Sequence, residues 1–228
     1  MSDMPAVPRS EGPRWLYLHG FASGPDSTKG VAVSRHFGAR GVEVARLNLR
    51  VPTMEGLRLS AMLETVREAM GGERERVVLM GSSLGGLVAA HLAAADARVS
   101  GLVLLAPAFQ VVRQLRRRMG EAAWGLWNKQ GWIETDDFAE KRKVRVHSGF
   151  IADAEEVDAK WGGWPDVRVP TLVIHGRADD TCDIRYSRQW AEGKRNVKLV
   201  EVEDGHELVA SLPRILAEAE EFLRPWGA

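Results

Sequence analysis

The sequence predicts an α/β fold, a mostly parallel sheet of about six strands with helices on both faces. Three observations carry this reading. Short apolar runs alternate with amphipathic or alanine-rich stretches from Arg14 onward. The run Val77-Val78-Leu79-Met80 leads through Gly81-Ser82-Ser83-Leu84-Gly85 directly into a helical stretch. Acidic and histidine residues recur just past the ends of two later apolar runs. A βαβα rhythm of this kind builds an open parallel sheet and gathers functional side chains at the carboxyl ends of its strands.

Taken in order, residues 1–13 lack the apolar segment of a secretory signal and read as a disordered lead-in. Strands are expected at residues 15–19, 42–49, 77–80, 102–105, 171–175 and 197–202. Helices are expected at residues 28–40, 54–70, 84–95, 184–193 and 208–223. One interval breaks the rhythm: residues 107–165 show no obvious buried strand. They hold Trp124, Trp127, Trp132, Trp161 and Trp164 with two basic clusters, Arg113 to Arg118 and Lys141 to Arg145. An insertion of about 55 residues is too long for a structureless connection. It reads as a small, mostly helical cap over the catalytic end of the sheet, so residues 14–228 form a single domain with a cap insertion at about 107–165.

Composition narrows the function. Hydrophobic residues make up 45% and charged residues 27% of the 228 residues, the balance of an ordinary globular protein. Thirty-one basic residues meet thirty-one acidic ones, so no global field favours nucleic acid, and little opposes formation of a homo-oligomer. The single cysteine, Cys182, excludes an intramolecular disulfide, and no Cys/His spacing resembles a metal site. No apolar run is long enough to span a membrane, and a cytoplasmic protein is expected.

A strand that ends in G-x-S-x-G and enters a helix makes a strained turn that lifts one serine hydroxyl clear of the backbone. Ser83 is thus the candidate nucleophile; the alternative for Ser82 and Ser83 is plain helix capping. A serine needs a base, usually a histidine held by a carboxylate. Asp179 follows the run at 171–175, and His206 follows the run at 197–202 in Glu203-Asp204-Gly205-His206. The order Ser83, Asp179, His206 suits a nucleophile elbow on a parallel sheet. Asp180 and Asp183 compete for the acid, with loop solvation or capping of the helix at Ile184 as their alternative roles.

On these motifs the chain resembles the α/β-hydrolases. The matching pieces are His19-Gly20-Phe21, Gly81-Ser82-Ser83-Leu84-Gly85-Gly86, His175-Gly176-Arg177-Ala178-Asp179 and Asp204-Gly205-His206, in order at strand ends. The chain is most similar to small single-domain serine esterases and acyl-thioesterases, with a trimmed sheet because no hairpin precedes Trp15. The resemblance implies a serine hydrolase that cleaves a small-molecule carboxylic ester or thioester through an acyl-enzyme and needs no cofactor or metal. It implies that Ser83 attacks, His206 relays the proton and Asp179 orients the imidazole. The backbone N–H groups of Phe21 and Leu84 would form the oxyanion hole. A peptidase or C–C bond hydrolase would use the same triad, and a non-catalytic binding module could share the fold.

The remaining candidates divide between two roles. Trp124 and Trp127 could line an acyl pocket or simply pack the cap onto the sheet. Arg116 and Arg117 could meet an anionic substrate or form a solvated helix face. His19 and His175 each precede a glycine at a strand end, where a ring commonly bonds loop backbone. His36 and His91 read as helix residues, His147 as a solvated cap residue, and Cys182 as a small buried side chain beside the acid.

Overall fold

In a computed structural model, which describes residues 12–160 and 162–228, six strands form one parallel sheet. They are β1 (Arg14–Leu18), β2 (Val44–Leu47), β3 (Val77–Ser82), β4 (Val99–Leu105), β7 (Thr171–Gly176) and β8 (Val197–Val202). Their spatial order is β2-β1-β3-β4-β7-β8, so the chain winds outward in both directions from the middle of the sheet. Within the described residues this is the mostly parallel six-stranded sheet that the alternating pattern predicts. The lead-in at 1–13, apart from Gly12 and Pro13, and Trp161 lie outside the described residues.

Alternation along each strand sorts the side chains onto two faces. Trp15 and Tyr17 of β1, Val78 and Met80 of β3, and Val103 and Leu105 of β4 share one apolar cluster with Val33, Phe37, Ile215 and Leu223. Those last four come from α1 (Thr28–Gly38) and α7 (Leu212–Leu223). Leu16, Leu18, Leu79, Leu102 and Leu104 point the other way. There they meet α2 (Leu59–Ala69), α3 (Leu84–Ala95) and Trp190 of α6 (Ile184–Ala191). Burying each such leucine contributes roughly 1.5–3 kcal/mol. α3 is apolar nearly all round, which suits a helix covered on every side.

Among the elements whose ends differ from the sequence pattern, three depart by four residues or more, each for a backbone reason. β2 is shorter than the run at 42–49 because Val42 N–H bonds Phe37 O at the end of α1, and Leu49 N–H bonds His19 Nε2 at 3.0 Å. α2 begins at Leu59 because Gly56 N–H folds back onto Thr53 Oγ1 and Arg58 N–H bonds Val51 O. α7 begins at Leu212 because Leu208 adopts a left-handed backbone (φ 56°) and Pro213 sits in the first turn.

The interval at 107–165 is not strandless. It contains α4 (Val111–Gln130), an antiparallel hairpin of β5 (Trp132–Asp137) and β6 (Arg142–His147), and α5 (Gly149–Ala159). Val144 and Val146 point inward between charged neighbours that point out, the period-two pattern of a half-buried strand. The charges on the outer face hide that period in the sequence. Half of the side chains in the basic clusters are ion-paired: Arg116 with Glu121, Arg117 with Asp183, Arg142 with Glu140 and Glu55, and Lys143 with Asp136.

The segment docks on loops at the carboxyl ends of the strands. Phe138 N–H bonds Ala22 O and His147 N–H bonds Glu55 O. Gln114 Oε1 accepts Asp183 N–H at 2.7 Å, and His91 Nε2 pairs with Asp158 at 2.9 Å. The strongest link is Arg50, which makes two 2.7 Å hydrogen bonds to the fully buried Asp137 carboxylate. Those bonds pull the Asp137 pKa down to about 2.

Asp137→Ala would leave Arg50 with Glu140, at 2.9 Å, as its remaining partner and should cost about 1.5–3 kcal/mol in urea unfolding at neutral pH. The carboxylate is depressed from 3.8, so its contribution is complete above that value and lost as pH falls through about 2. The difference between wild type and variant should therefore hold steady across neutral pH and shrink only in strong acid.

Candidate active site

β3 delivers Ser83 at its carboxyl end in a left-handed conformation, φ 54° and ψ −118°. A residue other than glycine reaches that region only when its surroundings hold it there. Ser83 N–H bonds Leu105 O at 2.9 Å and Ser83 O accepts Ala108 N–H at 3.0 Å, so the end of β4 clamps the turn from both sides. Gly81 and Gly85 are required by close approach: a Cβ at Gly81 would run into the Gly85 carbonyl, and one at Gly85 into the Leu18 and His19 carbonyls. Ser83 makes no side-chain cap for α3, which removes plain helix capping as its role.

The Ser83 hydroxyl instead meets His206. Ser83 Oγ lies 3.0 Å from His206 Nε2, and His206 Nδ1 lies 2.8 Å from Asp179 Oδ2. An ionised carboxylate only accepts, so Nδ1 carries a proton, and in the neutral ring Nε2 is left to accept from the serine. Asp179 has a fully buried side chain, whose Oδ1 takes N–H bonds from Thr181 at 2.9 Å and Cys182 at 2.7 Å. Its Oδ2 faces a second imidazole, His175 Nε2, at 3.1 Å. Burial alone raises the Asp179 pKa, but the hydrogen bonds from His175 and His206 outweigh it and hold the carboxyl well below the usual range. Burial likewise lowers the His206 pKa, and the Asp179 bond and the neighbouring Cys182 sulfur reverse the sign, so the imidazolium is favoured.

The competing acids take the alternative roles. Asp183 caps α6 through Arg185 N–H at 3.0 Å and pairs with Arg185 and Arg117, while Asp180 is exposed and reaches only Thr181 Oγ1. His206 is presented by a turn that Asp204 ties together, accepting from Gly205 and Ser211 N–H groups.

The loop after β1 runs against the elbow: a Cβ at Gly20 would lie 3.1 Å from Ser83 Cβ and 3.7 Å from its Oγ. His19 steadies this loop, with Nδ1 on Gly20 O at 2.9 Å and Nε2 accepting from Leu49 N–H. Burial lowers its pKa and keeps the ring neutral. Phe21 and Leu84, the two expected oxyanion donors, thus lie on an adjoining loop and helix start. Leu84 is the first residue of α3, where an N–H has no partner within the helix. A small cleft of about 10 Å³, room for one water, lies beside them, lined by Phe21, Leu49, Met54, Leu57, Met62 and Leu84 together with His19 and Arg50.

Trp124 and Trp127 pack against each other, ring centroids 5.8 Å apart, and Trp127 Nε1 donates to Val146 O. Their contacts fill the packing role left open at the sequence level, joining α4 to the hairpin, and neither lines the cleft. Two neighbours of the site were given other roles by sequence reasoning. His175, read as a loop-binding ring, also contacts the acid directly. Cys182, read as a small buried side chain beside the acid, is buried, and its Sγ lies 3.9 Å from Ser83 Oγ. Their signal was position alone, four residues before and three after Asp179.

A parallel sheet, a left-handed serine between a strand and a helix, and an acid and a histidine on later strand ends together define an α/β-hydrolase fold. Solved structures with that fold superpose on nearly the whole chain. Alpha/beta hydrolase domain-containing protein 10 from mouse matches with a TM-score of 0.77 at 18% identity, covering 98% of this chain and 99% of its own. Est1E from Butyrivibrio proteoclasticus matches with a TM-score of 0.74 at 20% identity, covering 94% and 88%. The Pyrococcus furiosus esterase Pf2001 matches with a TM-score of 0.63 at 16% identity, covering 95% and 84%. Within this class the chain belongs to the family described as "Uncharacterised protein family (UPF0227)", whose model matches residues 14–223. No curated protein matches the chain in sequence.

Gly85→Ala should be among the most damaging small substitutions in the chain, because the methyl meets backbone that cannot yield. A loss on the order of 3 kcal/mol is expected in denaturant unfolding. Gly72→Ala, where the added Cβ meets open space, serves as the control.

Proposed function

We propose that this chain is a serine hydrolase that cleaves a carboxylic ester or thioester through an acyl-enzyme. The observation that carries the proposal is the unbroken hydrogen-bonded line from Ser83 Oγ through His206 to Asp179 at a left-handed strand-to-helix turn. In this reading His206 Nε2 takes the Ser83 proton as Oγ attacks the acyl carbon. The imidazolium so formed is stabilised by Asp179, and it returns the proton to the leaving alcohol or thiol. Water then repeats the sequence on the acyl-enzyme. The N–H groups of Phe21 and Leu84 hold the oxyanion, aided by the amino end of α3. The esterase name of the superposed Pf2001 structure agrees with this chemistry.

The cleft beside Phe21 and Leu84 is only about 10 Å³, so an acyl group enters there only as the side chains that line it, Met62 among them, move apart. Truncating Met62 should then change the preferred acyl length among p-nitrophenyl esters, whereas truncating Trp124 should chiefly cost stability. Each methylene is worth only about 1–3 kcal/mol of discrimination, so the change is measurable without loss of turnover.

Ser83→Ala should lower kcat on the order of 10⁴-fold or more and abolish labelling by a fluorophosphonate probe, with the fold retained. Undiminished turnover in that variant would overturn the proposal, and failure of the wild type to label would favour a binding module. Asp179→Asn should cost far more kcat/KM than Asp180→Asn or Asp183→Asn.

The pH dependence follows from His206. Its pKa is raised, and only the neutral ring can accept the serine proton. The acid limb of kcat/KM should therefore lie above the ordinary histidine value of 6.5. Asp179→Asn should move what activity remains toward lower pH.

A further inference from the structure

Asp179 Oδ2 stands between two imidazoles. His206 Nδ1 approaches at 2.8 Å and His175 Nε2 at 3.1 Å. His175 lies at the end of β7 with its side chain fully buried, and its other ring nitrogen lies 2.8 Å from Ser187 Oγ on α6. Its Nε2 is also 2.8 Å from Cys182 O. A carbonyl and a carboxylate only accept, so Nε2 must carry the proton and share it between Cys182 O and Asp179 Oδ2. Nδ1 faces the Ser187 hydroxyl, which can donate or accept. The ring is hydrogen-bonded at both nitrogens, which fixes its orientation. It touches neither Ser83 nor the cleft and is no part of the proton relay.

We propose that His175 is a positioning residue for the acid, holding Asp179 Oδ2 between two imidazoles and limiting the charge that carboxylate presents to His206. This rests on reading Ser83, His206 and Asp179 as a triad. With Oδ1 fixed by the Thr181 and Cys182 N–H groups, His175 fixes the other oxygen, so the carboxylate plane cannot rotate away from His206. The second donor on Oδ2 also competes with His206 for the same charge. Without it, the full charge of Oδ2 would fall on His206 and favour the imidazolium further.

The other groups near the pair are few. Cys182 and Ser83 face His206, and Ser187 faces His175. Beyond them Glu207 is engaged by Lys29, which also donates to its carbonyl, and Arg177 pairs with Glu201 and Glu203. None of these donates to Asp179 Oδ2, so that effect belongs to His175.

The test is the titration of the His206 ring in the full chain, followed by NMR in wild type, His175→Ala and His175→Gln, with His206→Gln used to assign the signal. His175→Ala should move the His206 midpoint to higher pH by about half a pH unit or more, because one of two charge-sharing donors is gone. Its kcat/KM at neutral pH should fall by on the order of 10²-fold, since a freed carboxylate misplaces the base. His175→Gln restores an N–H donor near the same point and should return the midpoint and most of the rate. A role confined to packing would lower stability and leave the midpoint in place, and that result overturns the proposal, as does Gln behaving like Ala. If His175→Ala does not fold, Ser187→Ala frees Nδ1 alone and should shift the midpoint in the same direction by less; a wild-type titration there overturns the proposal. Failure of the triad reading is separate, because it would show as turnover retained in Ser83→Ala.

Discussion

The arrangement depends on backbone meeting backbone where β3 ends. Gly81 and Gly85 allow the turn, α3 and the loop after β1 to pack without intervening side chains, and that contact forces Ser83 into a left-handed conformation. Strain at one residue is held by the surrounding sheet: β4 clamps the turn through Leu105 and Ala108, and β1 brings Gly20 against the serine itself. The hydroxyl is aimed by these neighbours rather than by any bond of its own to α3. Because β1, β3 and β4 are adjacent in the sheet, Ser83 inherits the rigidity of its most buried region.

Around this fixed serine the electrostatics are built from one buried carboxylate. Asp179 receives four N–H groups and no water-facing side, so burial, which would neutralise an isolated acid, is overcome by hydrogen bonding. Its charge in turn raises the proton affinity of His206, which sits between the acid and Ser83. β7 supplies the acid and one imidazole, and β8 supplies the other, so two neighbouring strands hold both ends of the contact.

Much of this was legible in the sequence because its signatures are local. An apolar run followed by G-x-S-x-G needs no distant residue to be read, and the turns at Asp179 and His206 each follow a recognisable strand. Selecting Asp179 over Asp180 and Asp183 depended on the position directly after β7. What stayed hidden is non-local or masked. The hairpin carries charges along its outer face, and only Val144 and Val146 mark the inner one. The partner of Arg50 lies 87 residues away, and nothing in either neighbourhood announces the pair. Trp124 and Trp127 suggested a ligand site by type, but a tryptophan is as well suited to filling the interior of a cap. His175 was read as a loop-binding ring; it does bond the Cys182 carbonyl, and its contact with the acid arises only once β7 and its loop have folded back.

The hairpin meets the loops beneath it partly through main-chain bonds, Phe138 to Ala22 and His147 to Glu55. Such a seam is indifferent to side-chain identity. Substitutions along the outward faces of β5 and β6 can therefore alter the charge and texture of the lip above the cleft while its spacing from the loop that bears Phe21 stays the same. Drift on those faces thus leaves the seam in place so long as its side-chain junctions, the buried Arg50–Asp137 pair and the Arg142–Glu55 pair, are kept.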